Sequence, residues 1–309
     1  MQLRSVEYFC VLAREEHFAR AAELCGVSQP TLSAGILALE RLLGQRLVVR
    51  DRRYIGLTAE GRAVLPLAQQ MVATFGAMRL AAAGGQELLD GEVRLGTIPA
   101  ALPSIGPITD ALSQRHPGLR IAITSLSSRQ IDRGLEEYEL DAGITYLDNE
   151  PLPNVLQVEL YRERYIVVAH RDLGLAPALS WTEAAALPLC LLPLSMQNRR
   201  ILDVKLAAAG TNVTPRATAN SYVALLSMLR AGTFASIMPN TYAPYIVGDP
   251  SLSLHQIAGQ ADGTAVGLVV RDRRPLAPLA HAVFVMAQSE AVRLAFARTL
   301  AASVPPGAA

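Results

Sequence analysis

The 309-residue chain has few of the residues that staple small proteins or bind metal: its three cysteines are Cys10, Cys25 and Cys190. An odd count without CxxC spacing offers neither a disulfide framework nor a zinc site, and a reducing cytosol is the expected setting. No uninterrupted apolar run reaches about 18 residues, so no membrane span is expected. Met1 to Glu7 include charges and no long apolar stretch, so no export signal is expected either. Catalytic signatures are missing too: there is no Walker loop, no GxGxxG after a strand, no GxSxG and no HExxH. The five histidines are scattered, with His17 and His281 on expected helices and His116 in a turn before Pro117. These gaps argue against a metabolic enzyme, and neither a cofactor nor a metal is expected. Lysine is nearly absent, Lys205 being the only one among 28 basic residues, and the net charge is +1. A nucleic-acid binder of this composition must concentrate positive charge locally.

Hydrophobic residues make up 51% of the chain and charged residues 18%, a globular composition long enough for two or three domains. Val6, Phe9, Cys10 and Ala13 fall at i, i+3, i+4 and i+7, one face of a helix. A second short helix fits Ala19 to Cys25. Gly26 follows where the chain must adopt positive φ, and Ser28 is an N-cap with Pro30 in the next helix's first turn. Leu32, Ile36, Leu39 and Leu43 continue the apolar stripe of that third helix. Two helices, a glycine turn and a third helix with a polar start make a helix-turn-helix.

Only the first residues of a recognition helix reach base edges in the major groove, which selects Gln29, Thr31, Ser33 and Ala34, with Pro30 beside them in the DNA-binding turn. Gln29 suits adenine, and Thr31 offers a methyl for thymine plus a hydroxyl. Ser28, Ser33 and the helix N-terminus suit phosphate oxygens. Arg46, Arg50, Arg52 and Arg53 then cluster around the strand-like Leu47, Val48 and Val49, the composition of a wing lying along the DNA backbone. The alternative is a helical hairpin with a solvated arginine face.

Beyond Thr58, an N-cap, the residues Val64, Leu67, Ala68, Met71, Val72, Phe75 and Met78 form an apolar seam of helical period. A partner helix would bury it, so Val64, Leu67, Met71, Phe75 and Met78 are assigned to dimerisation. Pro66 should kink the helix or mark an altered first turn. Ala81 to Leu89, with Gly84-Gly85, reads as a linker. From Gly91 strands alternate with helices: Glu92–Gly96, Arg120–Thr124, Asp141–Thr145 and Arg164–His170 are separated by helices at Leu102–Gln114 and Gln130–Tyr138. A second run follows, with Leu189–Leu192, helices near Asn198–Ala209 and Tyr222–Leu229, and a strand at Ala235–Met238. Thr264–Arg271 is the last strand and Leu276–Ala301 the last helix. This alternation predicts a doubly wound α/β domain with a largely parallel sheet.

The stretch Phe18-Ala19-Arg20-Ala21-Ala22, then Leu24, Val27-Ser28-Gln29-Pro30-Thr31-Leu32-Ser33, Leu39-Glu40, Leu43-Gly44 and Leu57-Thr58-Ala59-Glu60-Gly61 strongly resembles the LysR-type transcriptional regulators. Relatives usually carry arginine or glutamine after the serine matching Ser33, where this chain has Ala34-Gly35. Gly35 should weaken the helix interior by up to about 1 kcal/mol. The resemblance continues through Gly91-Glu92-Val93-Arg94-Leu95-Gly96, Gly134-Leu135 with Leu140-Asp141, and Arg230-Ala231-Gly232 with Met238-Pro239. Thr233-Phe234 departs from the smaller turn common in relatives.

The resemblance implies an α/β multidomain protein. A winged helix-turn-helix would span residues 1–58, a linker and dimerisation helix 59–90, an effector-binding domain 91–304 and a tail 305–309. The effector domain is similar to periplasmic binding proteins. Its first lobe would be about 92–163 plus 268–304, and its second about 164–267, with a small molecule between them. Ligands in open α/β sheets sit beyond the carboxyl ends of strands, which points to Thr97, Ile98, Pro99, Ala100, Ser125, Ser127 and Ser128. The second lobe should add Gln197, Asn198, Arg199, Asn220, Ser221 and Thr233. An arginine of the Arg199-Arg200 pair facing the cleft would favour a small carboxylate or other anion.

The expected partners are double-stranded operator DNA, a small-molecule effector, RNA polymerase and further copies of the chain in a dimer or tetramer, without a membrane. Effector-driven closure of the lobes would reposition paired recognition helices. Two rivals stand beside that reading. One is a solute-binding protein without a DNA role; the other is a redox-responsive regulator using Cys190, a residue that lies in the apolar run Leu187–Leu192.

Overall fold

The computed structural model describes residues 3–50, 54–82, 88–260 and 263–301. The chain divides into two compact units. The first comprises residues 1–89 with 136–139 and 273–281, and the second the remainder from Asp90 onward.

In the first unit, helices α1 (Leu3–Glu15), α2 (Phe18–Leu24) and α3 (Gln29–Leu43) precede an antiparallel pair, β1 (Val48–Arg50) and β2 (Tyr54–Leu57), and the long helix α4 (Ala59–Ala82). The periodic positions Val6, Phe9, Leu12, Leu32, Ile36 and Leu39 form the core, joined by Ala21, Leu47 and Val48. Each fully buried aliphatic or aromatic side chain there stabilises by about 1.5–3 kcal/mol. Gly26 has φ of +65°, as the tight turn between α2 and α3 requires. Two expectations are corrected. Leu43 is exposed, and after Leu39 the last buried residue of α3 is Glu40. Its Oε1 accepts the backbone N–H groups of Leu47 (3.0 Å) and Val48 (3.2 Å), fixing the start of the wing. Gly35 is no simple weakness. A Cβ there would lie 2.6 Å from Tyr8 Cδ2, so the missing side chain lets α1 and α3 approach closely.

Helix α4 begins under the expected cap, with Thr58 Oγ1 accepting the Gly61 N–H at 2.8 Å. It runs past Pro66, which lies inside the helix and not in its first turn. Its inward face, Val64, Leu65, Ala68 and Val72, packs on the helix-turn-helix core. Val64 is therefore half-buried against its own unit, unlike the other residues assigned to dimerisation. Leu67, Met71, Phe75 and Met78 are exposed, Leu67 by 72%.

The second unit holds two larger sheets and a two-stranded parallel one. The first lobe's strands are β3 (Asp90–Thr97), β4 (Gly118–Ser125), β5 (Ala142–Tyr146) and β6 (Val155–Glu163), and its helices α5 (Gly106–Arg115) and α6 (Ser128–Glu136). The second lobe contributes β7 (Tyr165–His170), β8 (Ala178–Leu179), α7 (Trp181–Ala185), β9 (Cys190–Leu191), α8 (Gln197–Ala208), β10 (Ala217–Thr218), α9 (Tyr222–Arg230), β11 (Ala235–Pro239) and β12 (Leu252–Ile257). Strand β13 (Thr264–Arg271) returns to the first sheet, followed by α10 (Pro278–Gln288) and α11 (Glu290–Ala301).

The five-stranded sheet has order β4-β3-β5-β13-β6, and a four-stranded sheet has order β11-β7-β12-β8. Strands β4, β3, β5 and β6 all run in one direction, and β13, between β5 and β6, is antiparallel to both. The second sheet is mostly antiparallel, with β7 flanked by β11 and β12. The largely parallel sheet expected from strand–helix alternation thus describes the first lobe, with β13 its one reversed strand, but not the second. The reason is that β6 and β13 link the two sheets, and β13 runs against the first sheet's parallel strands. Strand β6 escaped the sequence reading, and β13 begins at Thr264, earlier than the boundary near 268 that the resemblance implied. The expected single last helix is two, parted at Ser289.

Candidate functional site

Two places carry candidate function, one in each unit. At the start of α3, Ser28 Oγ accepts the Thr31 N–H at 3.3 Å and shares a 2.8 Å hydrogen bond with Thr31 Oγ1. The cap satisfies one of the helix's free amides and pins both side chains on the outer surface. Gln29, Pro30, Thr31 and Ala34 are exposed and Ser33 is half-buried, so the N-terminal turn presents one continuous outer face. Next to it an open groove is lined by Glu16, His17, Phe18, Ala19, Gln29, Tyr54 and Ile55. His17 caps α2 by accepting the Arg20 N–H, and Tyr54 opens the returning wing strand. Neither was assigned to a site from sequence, and His17, expected within a helix, is instead the extended cap ahead of α2. Arg50 ends β1, while Arg52 and Arg53 lie outside the described residues.

In the second unit a cleft lies between the two lobes. Its lining consists of Ile98, Pro99, Ala100, Ser127 and Ser128 with Tyr146 from one lobe, and Leu192, Met196, Gln197 and Asn198 from the other. Seven of these were named from sequence; Tyr146, Leu192 and Met196 were not. The free space measures about 10 Å³, at most room for one water molecule. Hydrogen bonds close it. Ser128 Oγ donates to Gln197 Oε1, Gln197 Nε2 donates to the Asn149 carbonyl, and Thr145 Oγ1 donates to Ser128 Oγ at 3.1 Å. Past β11, Tyr242 OH donates to the Pro99 carbonyl (2.7 Å) and Thr241 Oγ1 to the Ala100 carbonyl (3.1 Å).

Six sequence candidates stand away from this lining. Thr97 is buried with its hydroxyl on the Ile98 carbonyl, and Ser125 is exposed at the end of edge strand β4. Asn220 and Thr233 are exposed, and Ser221 is a half-buried N-cap of α9. Arg199 is buried but faces its own lobe: Nε donates to Asp203 at 2.8 Å, and its other nitrogens to the carbonyls of Leu192 and Val213. Arg200 makes a two-pronged pair with Glu150, which holds that carboxyl below its ordinary range. With both arginines engaged, the argument for an anionic effector drawn from them falls.

The cysteines lie elsewhere. Cys190 is fully buried in β9, and burial pushes its thiol up to about 11. Cys10 is pushed up to about 12 by burial, with Glu7 adding to it. Among the described residues no group of His, Cys, Asp and Glu could hold a metal ion, and no helix is long and apolar enough to cross a membrane.

Comparison with known proteins decides the family. Residues 3–62 match the bacterial regulatory helix-turn-helix of the lysR family, and residues 86–291 the LysR substrate binding domain. The chain belongs to the LysR family of transcriptional regulators. Among relatives of this LysR-type regulator, a probable hydrogen peroxide-inducible genes activator of Mycobacterium avium is 32% identical over 85% of this chain and 86% of its own. An SDS degradation transcriptional activation protein of a Pseudomonas strain is 31% identical over 91% and 94%. Among solved structures, a cysteine-substituted full-length OxyR of Pseudomonas aeruginosa superposes with a TM-score of 0.77 at 25% identity, covering 95% of this chain and 98% of that one. Full-length CbnR complexed with its target DNA, at 22% identity and a TM-score of 0.57, shares the fold. The assignment as a DNA-binding transcriptional regulator rests on these matches.

Proposed function

We propose that this LysR-type regulator binds operator DNA through the start of α3 and its wing, and is controlled by a small polar molecule held between the lobes of its second unit. The observation that carries this is the cleft itself: polar side chains from both lobes converge on one small space and bind each other across it. An effector entering there must replace the Ser128–Gln197 bond with its own, and so can favour one lobe arrangement over another. Gln29, Thr31, Ser33 and Ala34 face base edges, Ser28 and Pro30 the flanking backbone, and Arg50, Arg52 and Arg53 the phosphates. Exposed Leu67, Met71, Phe75 and Met78 pair two copies, so that two recognition helices meet a roughly palindromic site in the cytoplasm, with RNA polymerase the downstream partner. A thermal-shift screen of small polar metabolites tests the effector site. A ligand that raises the melting temperature of wild type but not of a Gln197→Ala variant supports the reading, because only a folded-state ligand stabilises. A ligand that acts on both alike places the site elsewhere.

A second reading has its own support: several relatives are named as hydrogen peroxide-inducible activators. A thiol sensor requires a thiolate accessible to oxidant. Cys190, buried and held protonated, is poorly suited to that role. If operator binding responds to peroxide and a Cys190→Ser variant loses the response, the redox reading replaces the small-molecule one.

A further inference from the structure

Glu163 ends β6, one of the strands that pass between the lobes, and is only 1% exposed. Around it converge side chains from both lobes. Tyr146 of β5 donates its hydroxyl to Glu163 Oε1 at 2.6 Å, and Asn198 of α8 donates Nδ2 to the same oxygen at 3.2 Å. Asn198 Nδ2 also reaches the hydroxyl of Tyr146 at 2.6 Å, while Tyr222 of α9 donates to Asn198 Oδ1 at 2.8 Å and Tyr165 of β7 to the Asn198 carbonyl at 3.2 Å. The carboxyl is thus the hub of one network that fastens β5 to α8 next to the cleft lining.

The chemistry of that hub is unbalanced. Glu163 Oε2 is buried and meets no hydrogen-bond donor, so negative charge on it would be unsolvated. Among the described residues no basic group forms an ion pair with it. Lys205 of α8 acts only from a distance. Every other titratable group facing it is a phenol: Tyr146, Tyr161 of its own strand, Tyr165, Tyr222 and Tyr242, all pushed up by burial and by Glu163 itself. Asp203 adds further negative potential at Tyr165. None of them can supply a positive charge near neutrality.

We propose that Glu163 is a proton-operated latch between the lobes, held as the neutral acid while the domain is closed and releasing its proton to water when the lobes part. This rests on the reading of the second unit as two lobes that open and close, but not on any effector. The sign follows from linkage. Burial pushes the closed-state carboxyl up to about 8, against an ordinary value of 4.5 once hydrated. Between those limits the closed form binds more protons than the open one. Closure is therefore favoured at acid pH and is lost as pH rises through the closed-state value.

The test uses the full-length protein and a Glu163→Gln variant, which keeps an acceptor for Tyr146 and Asn198 without an ionisable proton. Infrared difference spectra between about pH 6 and about pH 9.5 should show a buried protonated carboxyl in wild type that is lost on alkalinisation and is missing from E163Q. Hydrogen exchange at the Pro99–Ser104 turn and at Thr241–Tyr242 should reveal opening. Protection there should fall on the order of tenfold more in wild type than in E163Q over the same range. A Tyr146→Phe variant removes a hydrogen bond that favours the anion, so its transition should move to higher pH. The proposal is overturned if E163Q keeps the protonated band, if protection changes equally in both proteins, or if the Tyr146→Phe transition does not move.

Discussion

Glu40 and Leu47 are joined by a buried hydrogen bond of 3.0 Å, with the Leu47 N–H donating to the carboxylate, so the recognition helix fixes the wing through its own side chain. Replacing Glu40 with alanine leaves two buried amides, those of Leu47 and Val48, without that acceptor. The expected cost is about 1–3 kcal/mol in the first unit. Glu40→Gln, which retains a carbonyl oxygen, should lose less. Thermal unfolding measures the ranking, and operator affinity should fall in the same order although Glu40 is buried away from the surface proposed to face DNA.

Gly35→Ala separates helix propensity from packing. Alanine is the better helix former, by up to about 1 kcal/mol in a free helix. Here its Cβ would meet the Tyr8 ring at 2.6 Å, and overpacking of this kind costs about 1–3 kcal/mol. A lower melting temperature for G35A, restored partly by a smaller residue at Tyr8, is the expected result.

The exposed seam of α4 should govern assembly without governing folding. A Met71→Glu, Phe75→Glu double variant should dissociate the oligomer in analytical ultracentrifugation while its circular dichroism spectrum stays unchanged. An unchanged sedimentation coefficient would remove these residues from the interface.

The residues proposed to face DNA should sort into two classes. Substituting Arg50, Arg52 or Arg53 should weaken binding to all sequences and lower the salt dependence, with the slope dropping by about one for each phosphate no longer neutralised. Substituting Gln29 or Thr31 should relax preference at particular base pairs and leave the slope unchanged. Binding isotherms on operator and scrambled DNA at several salt concentrations measure both.

Cys190 should be inert at neutral pH. With its thiol pushed up to about 11, the nucleophilic thiolate forms only in strong base. Alkylation of the native protein should proceed slowly at neutrality and accelerate with rising pH, and unfolding should abolish the difference. Mass spectrometry of the Cys190 peptide provides the readout.

The sequence by itself determined whatever is written locally. Helical periodicity located α1 and α3, Ser28 and Thr58 announced helix starts, and Gly26 marked the turn between α2 and α3, because caps and turns depend on neighbours a few residues apart. Strand–helix alternation likewise located most of the second unit's elements. Tertiary structure alone decided the rest. Gly35 looked like a defect until Tyr8 of another helix was found against it. Val64 looked like an interface residue until α4 was seen to lay that face on its own core. Arg199 looked like a ligand-facing cation until Asp203 and two carbonyls were found to hold it. Glu163 and Tyr146 gave no signal at all, because a buried carboxyl and the phenol that donates to it come from different strands, with β13 between them in the sheet. Their meeting is a property of chain topology, which local pattern does not encode.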